Sequence, residues 1–361
     1  MLYVERGTKV LHLFKYGDCK DACIGTILQN RNISHPEVFL FGDLRFTLRK
    51  TEDLYRSLEL SYRVDEYMDE ITKQTGVSFN FHFPNSVGKY LEEIHALLQE
   101  KIPVIVVVDH YEYPLSQFYK SLNMPHYIII TSYNLDSGSY SFADPFPFYG
   151  KQGLISEEEL IKYTNSPELK EHRNVYFHLD FSRSIPFDSI EYLQDTYRDV
   201  LHRNVEQMIQ CHETSEKTNG VFAIRQMADY LDRWVNNSER FTPYSGKSRK
   251  FPINSFLDMG NNRSGHALYL KTLGTVLNHE GFLKLSRDFM KITAYWNTVS
   301  SLRHLYQEKN ILDKYDISSD FVVKKLKKVP KLLLEIADAE EETIRNLECM
   351  LEADLKGAAK R

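Results

Sequence analysis

The chain has 361 residues, of which 42 % are hydrophobic and 26 % charged, and a formal net charge of -5 at pH 7. This length allows one or two domains with substantial cores, and the composition is that of an ordinary globular protein. The negative charge argues against a general nucleic-acid binder, and the 4 cysteines are too few for a disulfide framework in a chain of this length.

The sequence shows no pattern of a targeting signal or a membrane span. Met1–Gly7 lacks the charged and apolar regions of a secretory signal peptide. No apolar run approaches the ~20 residues that are needed to cross a bilayer. We therefore expect a cytoplasmic protein that has no membrane partner.

The first predicted element is a helix that begins at Cys19. Asp18 is a good N-cap, and apolar residues at 24, 27 and 28 supply a buried face. Cys19 would lie in the first turn, where backbone N–H groups and the helix dipole favour a thiolate, the form that attacks acyl groups. The alternative is a small core cysteine, and Cys23, one turn later, suits that description better.

A mixture of short strands and helices is predicted next. Glu37–Gly42 and residues 44–48 have the pattern of two strands around a Gly-Asp turn. Tyr67–Thr75 and Val87–Lys101 have helical periodicity, and the second of these segments carries apolar residues at 87, 91, 94, 97 and 98.

A buried strand and a β-hairpin follow. Pro103–Asp109 is a continuous run of mostly β-branched residues and predicts a central strand. Tyr127–Tyr133 and Ser139–Asp144 flank Asn134–Gly138, a loop rich in turn formers. This pattern predicts a hairpin.

From about residue 185 onward the pattern is helical. We place the domain boundary near Ser184-Ile185-Pro186, which gives domains at 1–183 and 184–361. The predicted fold class is α+β, with an antiparallel sheet in the first domain and mainly α-helices in the second. Apolar periodicity covers 189–211, 221–235, 266–278, 281–305 and 332–355.

The hairpin supplies partners for Cys19. His126 stands immediately before the first hairpin strand and Asp144 ends the second, so position 144 should lie opposite about residue 128 and within diagonal reach of 126. A carboxylate there would orient His126 and stabilise its charged form, and His126 could take the Cys19 proton. The alternative is that His126 only caps a strand and Asp144-Pro145 forms an ordinary turn.

A zinc site is not predicted. No second pair of ligands follows Cys19 and Cys23 at metal spacing, and the adjacent Cys211 and His212 would point in different directions on a helix.

These residues resemble known families. A cysteine at a helix start, a histidine at a strand start and an Asp-Pro at the end of its hairpin partner resemble the papain-like superfamily. The chain is more similar to BtrH, the acyltransferase family of butirosin biosynthesis. The segments that carry this similarity are Ile33–Glu37, Phe41-Gly42, Pro103–Asp109, Tyr111–Pro114, His126-Tyr127, Gly220–Ile224 and Gly260–Gly265.

Two positions depart from these families. Asp18 stands where the BtrH family often has His. Leu13, six residues before Cys19, stands where the papain-like peptidases that process bacteriocins place an oxyanion-hole Gln. The backbone N–H of Cys19 could still donate to an oxyanion, with His12 or Tyr16 as side-chain candidates. These differences count more against a peptidase than against an acyltransferase.

The resemblance implies a papain-like first domain that moves an aminoacyl or peptidyl group from a carrier-protein thioester to an amine. Cys19 would attack, His126 would transfer protons, and Asp144 would orient His126. The resemblance implies no permanently bound cofactor and no metal, because the donor is the phosphopantetheine arm of an acyl or peptidyl carrier protein. The acceptor would be a small-molecule amine.

The substrates suggest further residues. An acidic carrier protein needs a basic patch, for which Lys324–Lys331 is the richest segment and Lys247, Arg249 and Lys250 come second, unless these are solvated surfaces only. A cationic amine favours acidic and aromatic neighbours, and the candidates before His126 are Asp109, Tyr111 and Tyr113. Gly260–Gly265 is predicted to be a loop between helices.

Two other functions remain open from the sequence. A papain-like hydrolase, either a peptidase or a thioesterase, would share the triad and use water as the acceptor. A non-catalytic module that binds a carrier protein would keep the fold without the chemistry.

Overall fold

The computed structural model describes residues 11–44, 46–49, 59–61, 66–146, 150–210, 217–236, 256–307 and 324–358. The chain divides into two compact units, the first formed by Met1–Leu40 and Asp65–Ser189, the second by Phe41–Val64 and Ile190–Arg361. The predicted boundary after residue 183 lies close to Ser189. Residues 41–64, which we expected in the first domain, group with the second unit.

Both classes of secondary structure are present in the described residues. In chain order, the helices are α1 (Cys19–Asn30), α2 (Glu37–Leu40), α3 (Glu66–Thr75), α4 (Val87–Gln99), α5 (Glu157–Thr164), α6 (Ser189–Ile209), α7 (Gly220–Asn236), α8 (Phe256–Val276), α9 (Glu280–Gln307) and α10 (Val329–Ala358). The strands are β1 (Thr47–Arg49), β2 (Glu59–Ser61), β3 (Ser78–His82), β4 (Val104–Asp109), β5 (Pro125–Asn134), β6 (Ser139–Asp144), β7 (Lys151–Ser156), β8 (Tyr176–Asp180) and β9 (Lys217–Asn219). Across the described ranges, no helix combines the length and apolar character that crossing a membrane requires.

A 6-stranded antiparallel sheet forms the centre of the first unit, in the order β3-β8-β4-β5-β6-β7. All residues of β4 are buried, as its β-branched composition predicts for a strand covered on both faces. Val106 pairs with Ile128 of β5, and both pack with Ile94 of α4 and Leu160 of α5 in one core. The predicted central strand and the α+β class are confirmed.

The predicted hairpin is also confirmed, with one correction at its start. Ile129 lies opposite Ala143 and Ile130 opposite Phe142, and Gly138 closes the turn with a φ of 58°. However, β5 begins at Pro125, so that His126 lies within the strand rather than before it. The reason is that β5 also pairs with β4, where His126 stands opposite Val108.

The prediction of a strand at Glu37–Gly42 is wrong, because Glu37–Leu40 forms the helix α2. Pro36 begins this turn and its carbonyl accepts from Leu40 N at 3.1 Å; proline suits a helix start because it has no N–H to leave unpaired. All four α2 side chains are buried, so this segment has no alternation of apolar and polar residues by which a helix could be distinguished from a strand in the sequence.

The second predicted strand, at residues 44–48, corresponds to the three-residue strand β1, Thr47–Arg49. Before it, the Asn204 side chain accepts from Leu44 N at 3.0 Å and donates to Gly42 O at 2.7 Å. A side chain from α6 therefore satisfies the backbone that a strand partner would have paired. β1 itself lies between β2 and β9 in a small antiparallel sheet of the second unit.

In the second unit, α8 packs against α9. These two helices are joined by three residues, 277–279, where Asn278 has a φ of 49°. A connection this short makes consecutive helices antiparallel neighbours. The last helix, α10, packs against both α7 and α9.

The prediction that Gly260–Gly265 is a loop is wrong, because the segment lies inside α8. Arg263 is fully buried and forms two parallel hydrogen bonds with Glu340 of α10, Nε to Oε1 at 2.8 Å and Nη2 to Oε2 at 2.8 Å. Trp296 of α9 also donates to Glu340 Oε1 at 2.9 Å, and Asn262 accepts from Arg263. This network outweighs the low helix propensity of the segment.

We expect Arg263→Met to destabilise the second unit by about 3 to 5 kcal/mol, because it leaves the Glu340 carboxylate buried without its cation. The measurement is urea unfolding followed by tryptophan fluorescence, which reports on this unit because both tryptophans, at positions 234 and 296, belong to it.

The matched control is Arg287→Gln, which removes an exposed pair with Glu280 at 2.8 Å and should change the unfolding curve little. Equal unfolding midpoints for the two variants would show that the buried pair does not stabilise the unit.

Candidate active site

The start of α1 has the predicted capped geometry. Asp18 Oδ1 accepts from Asp21 N at 2.8 Å, and Asp21 Oδ2 accepts in return from Asp18 N at 3.4 Å. This reciprocal arrangement is a capping box, and Gly17 precedes it with a φ of 77°, a conformation that favours glycine. Cys19 is the first residue of the helix and is partly exposed. The sequence therefore placed Cys19 correctly in the first turn.

Cys23 lies one turn later in a different environment. It is fully buried, and its thiol donates to the carbonyl oxygen of Tyr127 at 3.4 Å. Burial raises the pKa of Cys23 well above its ordinary value, and the charges of Asp144, Cys19, Asp18 and Asp21 add to this rise. Cys23 is therefore a protonated core thiol, and the side of α1 that carries it packs against the start of β5.

His126 and Asp144 form a hydrogen-bonded pair in the interior. The Nε2 atom of His126 lies 2.9 Å from Asp144 Oδ2, and both side chains are fully buried. The other carboxylate oxygen, Oδ1, accepts from Phe146 N at 3.2 Å. An ionised carboxylate can only accept, so Nε2 carries the hydrogen and Nδ1 is the atom that can take up a proton. The predicted diagonal contact across the hairpin is present.

Three aromatic rings surround the His126 imidazole. His110 stacks on it with ring centroids 4.5 Å apart, Tyr113 lies at 5.8 Å, and Phe146 meets it edge-on at 5.7 Å. His110 and Phe146 were not among the predicted site residues. In the sequence, His110 directly follows β4 and Phe146 stands two residues after Asp144. These positions indicate a contact with His126 only when the register of the strands is known.

His110 is a neutral group in this site. Its side chain is buried, and its Nδ1 shares a hydrogen bond of 2.6 Å with Ser116 Oγ. Burial, and then the charge of His126, lower the pKa of His110 to about 2. The ring of His110 is thus uncharged near neutral pH.

Asp109, a predicted substrate-binding residue, fastens the loop that follows β4. The carboxylate is fully buried and each oxygen accepts two hydrogen bonds. An acceptor amine could reach it only by displacing one of these donors, so its predicted role in substrate binding stays a prediction. The donors are Tyr111 N at 3.0 Å, Met124 N at 3.2 Å, Asn123 Nδ2 at 2.8 Å and Ser166 Oγ at 2.6 Å.

The two predicted tyrosines differ in their surroundings. Tyr113 is buried and belongs to the rings around His126. Tyr111 is partly buried, and the Lys120 ammonium lies 4.5 Å from its ring centroid while pairing with Glu112 at 2.7 Å. A cation of the protein itself therefore occupies one face of Tyr111. The binding of a substrate amine by either ring stays a prediction.

The two side-chain candidates for an oxyanion hole, His12 and Tyr16, lie in different surroundings. His12 Nδ1 bonds to Gln29 Oε1 at 3.3 Å, at the far end of α1 and about 15 Å from Cys19 along the helix axis. Tyr16 is 37 % exposed and its ring lies beside Phe14. The backbone N–H of Cys19 stays the predicted donor.

The remaining predicted features lie on or near α10, or outside the described residues. Four lysines before and within the first turn of α10 are exposed, and Lys331 is 3.6 Å from Glu335. In the ranges that the structure describes, no three His, Cys, Asp or Glu side chains are grouped as metal ligands would be. The remaining predicted residues lie outside the described ranges: Lys247, Arg249, Lys250, Cys211 and His212.

A family model described as butirosin biosynthesis protein H, N-terminal, matches residues 18–145. The matched segment begins at the N-cap of α1 and ends directly after Asp144, so that it contains Cys19, His126 and Asp144. The resemblance to the BtrH family is confirmed over this segment. Over residues 18–145 the chain is therefore similar to the N-terminal part of butirosin biosynthesis protein H.

Proposed function

We propose that the protein is a cysteine-dependent acyltransferase of antibiotic-type specialised metabolism. It would move an aminoacyl or peptidyl group from a carrier-protein thioester, through an acyl-enzyme on Cys19, to an amine. The observation that carries this proposal is the buried hydrogen bond between His126 and Asp144, beside the helix whose first turn holds Cys19. Similarity to the BtrH N-terminal family supports it.

The first half-reaction forms the acyl-enzyme. The proton of the Cys19 thiol passes to His126 Nδ1, and the thiolate attacks the thioester carbonyl of the donor. The bond between the acyl carbon and the donor sulfur breaks, and the phosphopantetheine thiol leaves with the proton from His126. One thioester replaces another, so this step has little thermodynamic cost.

The second half-reaction forms the amide. A neutral amine attacks the acyl carbon, and His126 Nδ1 takes the proton that the amine loses. The bond from the acyl carbon to Cys19 Sγ then breaks, and the thiol recovers its proton. An amide is more stable than a thioester, so this step makes the overall reaction favourable.

Asp144 would act on His126 through orientation and charge. By accepting the Nε2 hydrogen it leaves Nδ1 as the basic atom, and it stabilises the imidazolium that forms during each proton transfer. Because both side chains are fully buried, water does not compete for this hydrogen bond. The backbone N–H of Cys19 would stabilise the oxyanion, a contribution typically of about 3 kcal/mol.

The proposal includes the partners of the reaction. The donor is an acidic acyl or peptidyl carrier protein whose phosphopantetheine arm presents the thioester, and the acceptor is a small-molecule amine. The exposed lysines at 324, 327, 328 and 331 are the docking surface that charge complementarity favours. Neither nucleic acid nor a metal takes part in this scheme.

We expect Cys19→Ala to abolish formation of the acyl-enzyme. The measurement is intact-protein mass after mixing the protein with glycyl and glutamyl thioesters of N-acetylcysteamine. Cys349→Ser is the matched control, because Cys349 is exposed on α10 and should leave the adduct intact. An adduct of equal yield in Cys19→Ala would locate the nucleophile elsewhere.

We expect Asp144→Asn to reduce the rate of acyl transfer by about a hundredfold or more, since the amide no longer fixes the His126 tautomer or balances the imidazolium. Single-turnover kinetics on the thioester would show this loss in the chemical step. A rate within threefold of the wild type would contradict the role of Asp144.

The choice of acceptor distinguishes a transferase from a hydrolase. We expect the Cys19 adduct to clear faster when millimolar amine is added than in buffer alone, and an amide product to appear in equal amount. The measurement is the time course of the adduct mass together with product analysis. Clearance that is independent of amine and yields only free acid would identify a thioesterase or peptidase instead.

A further inference from the structure

His110 is held rigidly against the candidate base. Its backbone N–H donates to Met124 O at 2.9 Å, directly beside the Asp109–Pro125 pair of β4 and β5. Its ring is fixed on one side by the 2.6 Å hydrogen bond to Ser116 and on another by Phe118, which meets it edge-on at 5.2 Å. These contacts leave the flat face of the ring toward His126 at an interplanar angle of 29°.

The charge of this neighbour matters for the chemistry. A second imidazolium at 4.5 Å would repel a protonated His126, but burial keeps His110 neutral. A neutral aromatic face attracts a cation that lies within about 6 Å. The same ring thus avoids repulsion and offers an attractive surface to the charged form of His126.

We propose that His110 is a positioning residue: its neutral ring fixes the plane of His126 and stabilises the imidazolium that His126 becomes when it takes the Cys19 proton. This inference rests on the proposed function, since it requires Cys19 and His126 to exchange a proton. His110 itself does not touch the substrate or lose a proton in the reaction.

Other titratable groups lie near His126. Asp144 of β6 faces it directly, and Tyr113 packs near its ring from the loop after β4. At the start of α1, Asp18 as the N-cap and Asp21 act electrostatically on Cys23, whose thiol bonds to the carbonyl of Tyr127, the residue next to His126. The test therefore changes His110 alone and leaves this set of charges constant.

The experiment compares His110→Leu with His110→Phe. Leucine fills a similar volume without an aromatic face, whereas phenylalanine keeps the face and loses the hydrogen bond to Ser116. The readout is the rate of Cys19 alkylation by iodoacetamide across pH 4 to 10, resolved by peptide mass spectrometry because the chain has 4 cysteines. This measurement needs no substrate, and melting temperature confirms folding of each variant.

We expect His110→Leu to narrow the pH range in which the Cys19 thiolate is paired with an imidazolium. In the profile of alkylation rate against pH, the acidic limb should move up and the basic limb down, each by about 0.5 to 1 pH unit. The profile of His110→Phe should match the wild type. His178→Leu is the matched control, because His178 is a buried histidine on β8 of the same sheet that stacks on His82. If His110→Leu does not fold, His110→Met replaces it as the variant without an aromatic face.

A further variant, His126→Asn, separates the proposed role of His110 from the proposed proton exchange between Cys19 and His126. If His126→Asn alters the Cys19 profile but His110→Leu and His110→Met do not, only the role of His110 is overturned. Equal shifts in the Leu and Phe variants would also overturn it, since the aromatic face would then be irrelevant. If His126→Asn leaves the profile unchanged, Cys19 and His126 are not coupled, and the triad fails together with this inference.

Discussion

The register of β5 between β4 and β6 is the constraint on which the candidate site depends. On one side it places His126 opposite Val108, so that the residues that follow β4 reach the His126 ring. On the other side it places Ala143 opposite Ile129, which brings Asp144 within 2.9 Å of His126. A slip of one residue would turn every side chain of β5 to the other face and separate these groups.

Two cysteines on one helix lie in different environments. Cys19 begins α1 and is partly exposed, whereas Cys23 is buried and bonded to the backbone of β5. Residues one helical turn apart face the same side, so the difference does not come from direction. It comes from desolvation, which keeps Cys23 protonated, and from the helix N-terminus, which favours a thiolate at the position of Cys19.

The second unit is held together by a different kind of interaction. Arg263, Glu340 and Trp296 join α8, α10 and α9 through hydrogen bonds among fully buried side chains. An ion pair of this kind does not add much stability over a packed apolar core, but loss of either partner is costly. It therefore specifies which helix faces meet. Glycines at 260 and 265 assist this arrangement, because a Cβ atom there would collide with Asn297 or Phe41.

The sequence by itself determined the features that depend on neighbouring residues. Asp18 predicted the start of α1, the β-branched run predicted β4, and the turn formers of 134–138 predicted the hairpin that carries His126 and Asp144. Capping, strand burial and turn chemistry act over a few residues, so their signals are readable in the chain. Together they were sufficient for the α+β class and for the contact between His126 and Asp144.

Tertiary structure decided what depends on residues distant in the chain. Asn204 binds the backbone of Gly42 and Leu44, Glu340 pairs with Arg263 inside α8, and strand register brings His110 to His126. It also surrounded the Asp109 carboxylate with four donors, although the sequence suggested a site for a substrate amine. The first two of these outcomes rest on buried polar contacts between segments far apart in sequence. Such contacts outweigh local propensity because an unpaired polar group in the interior costs more free energy than an unfavourable backbone preference.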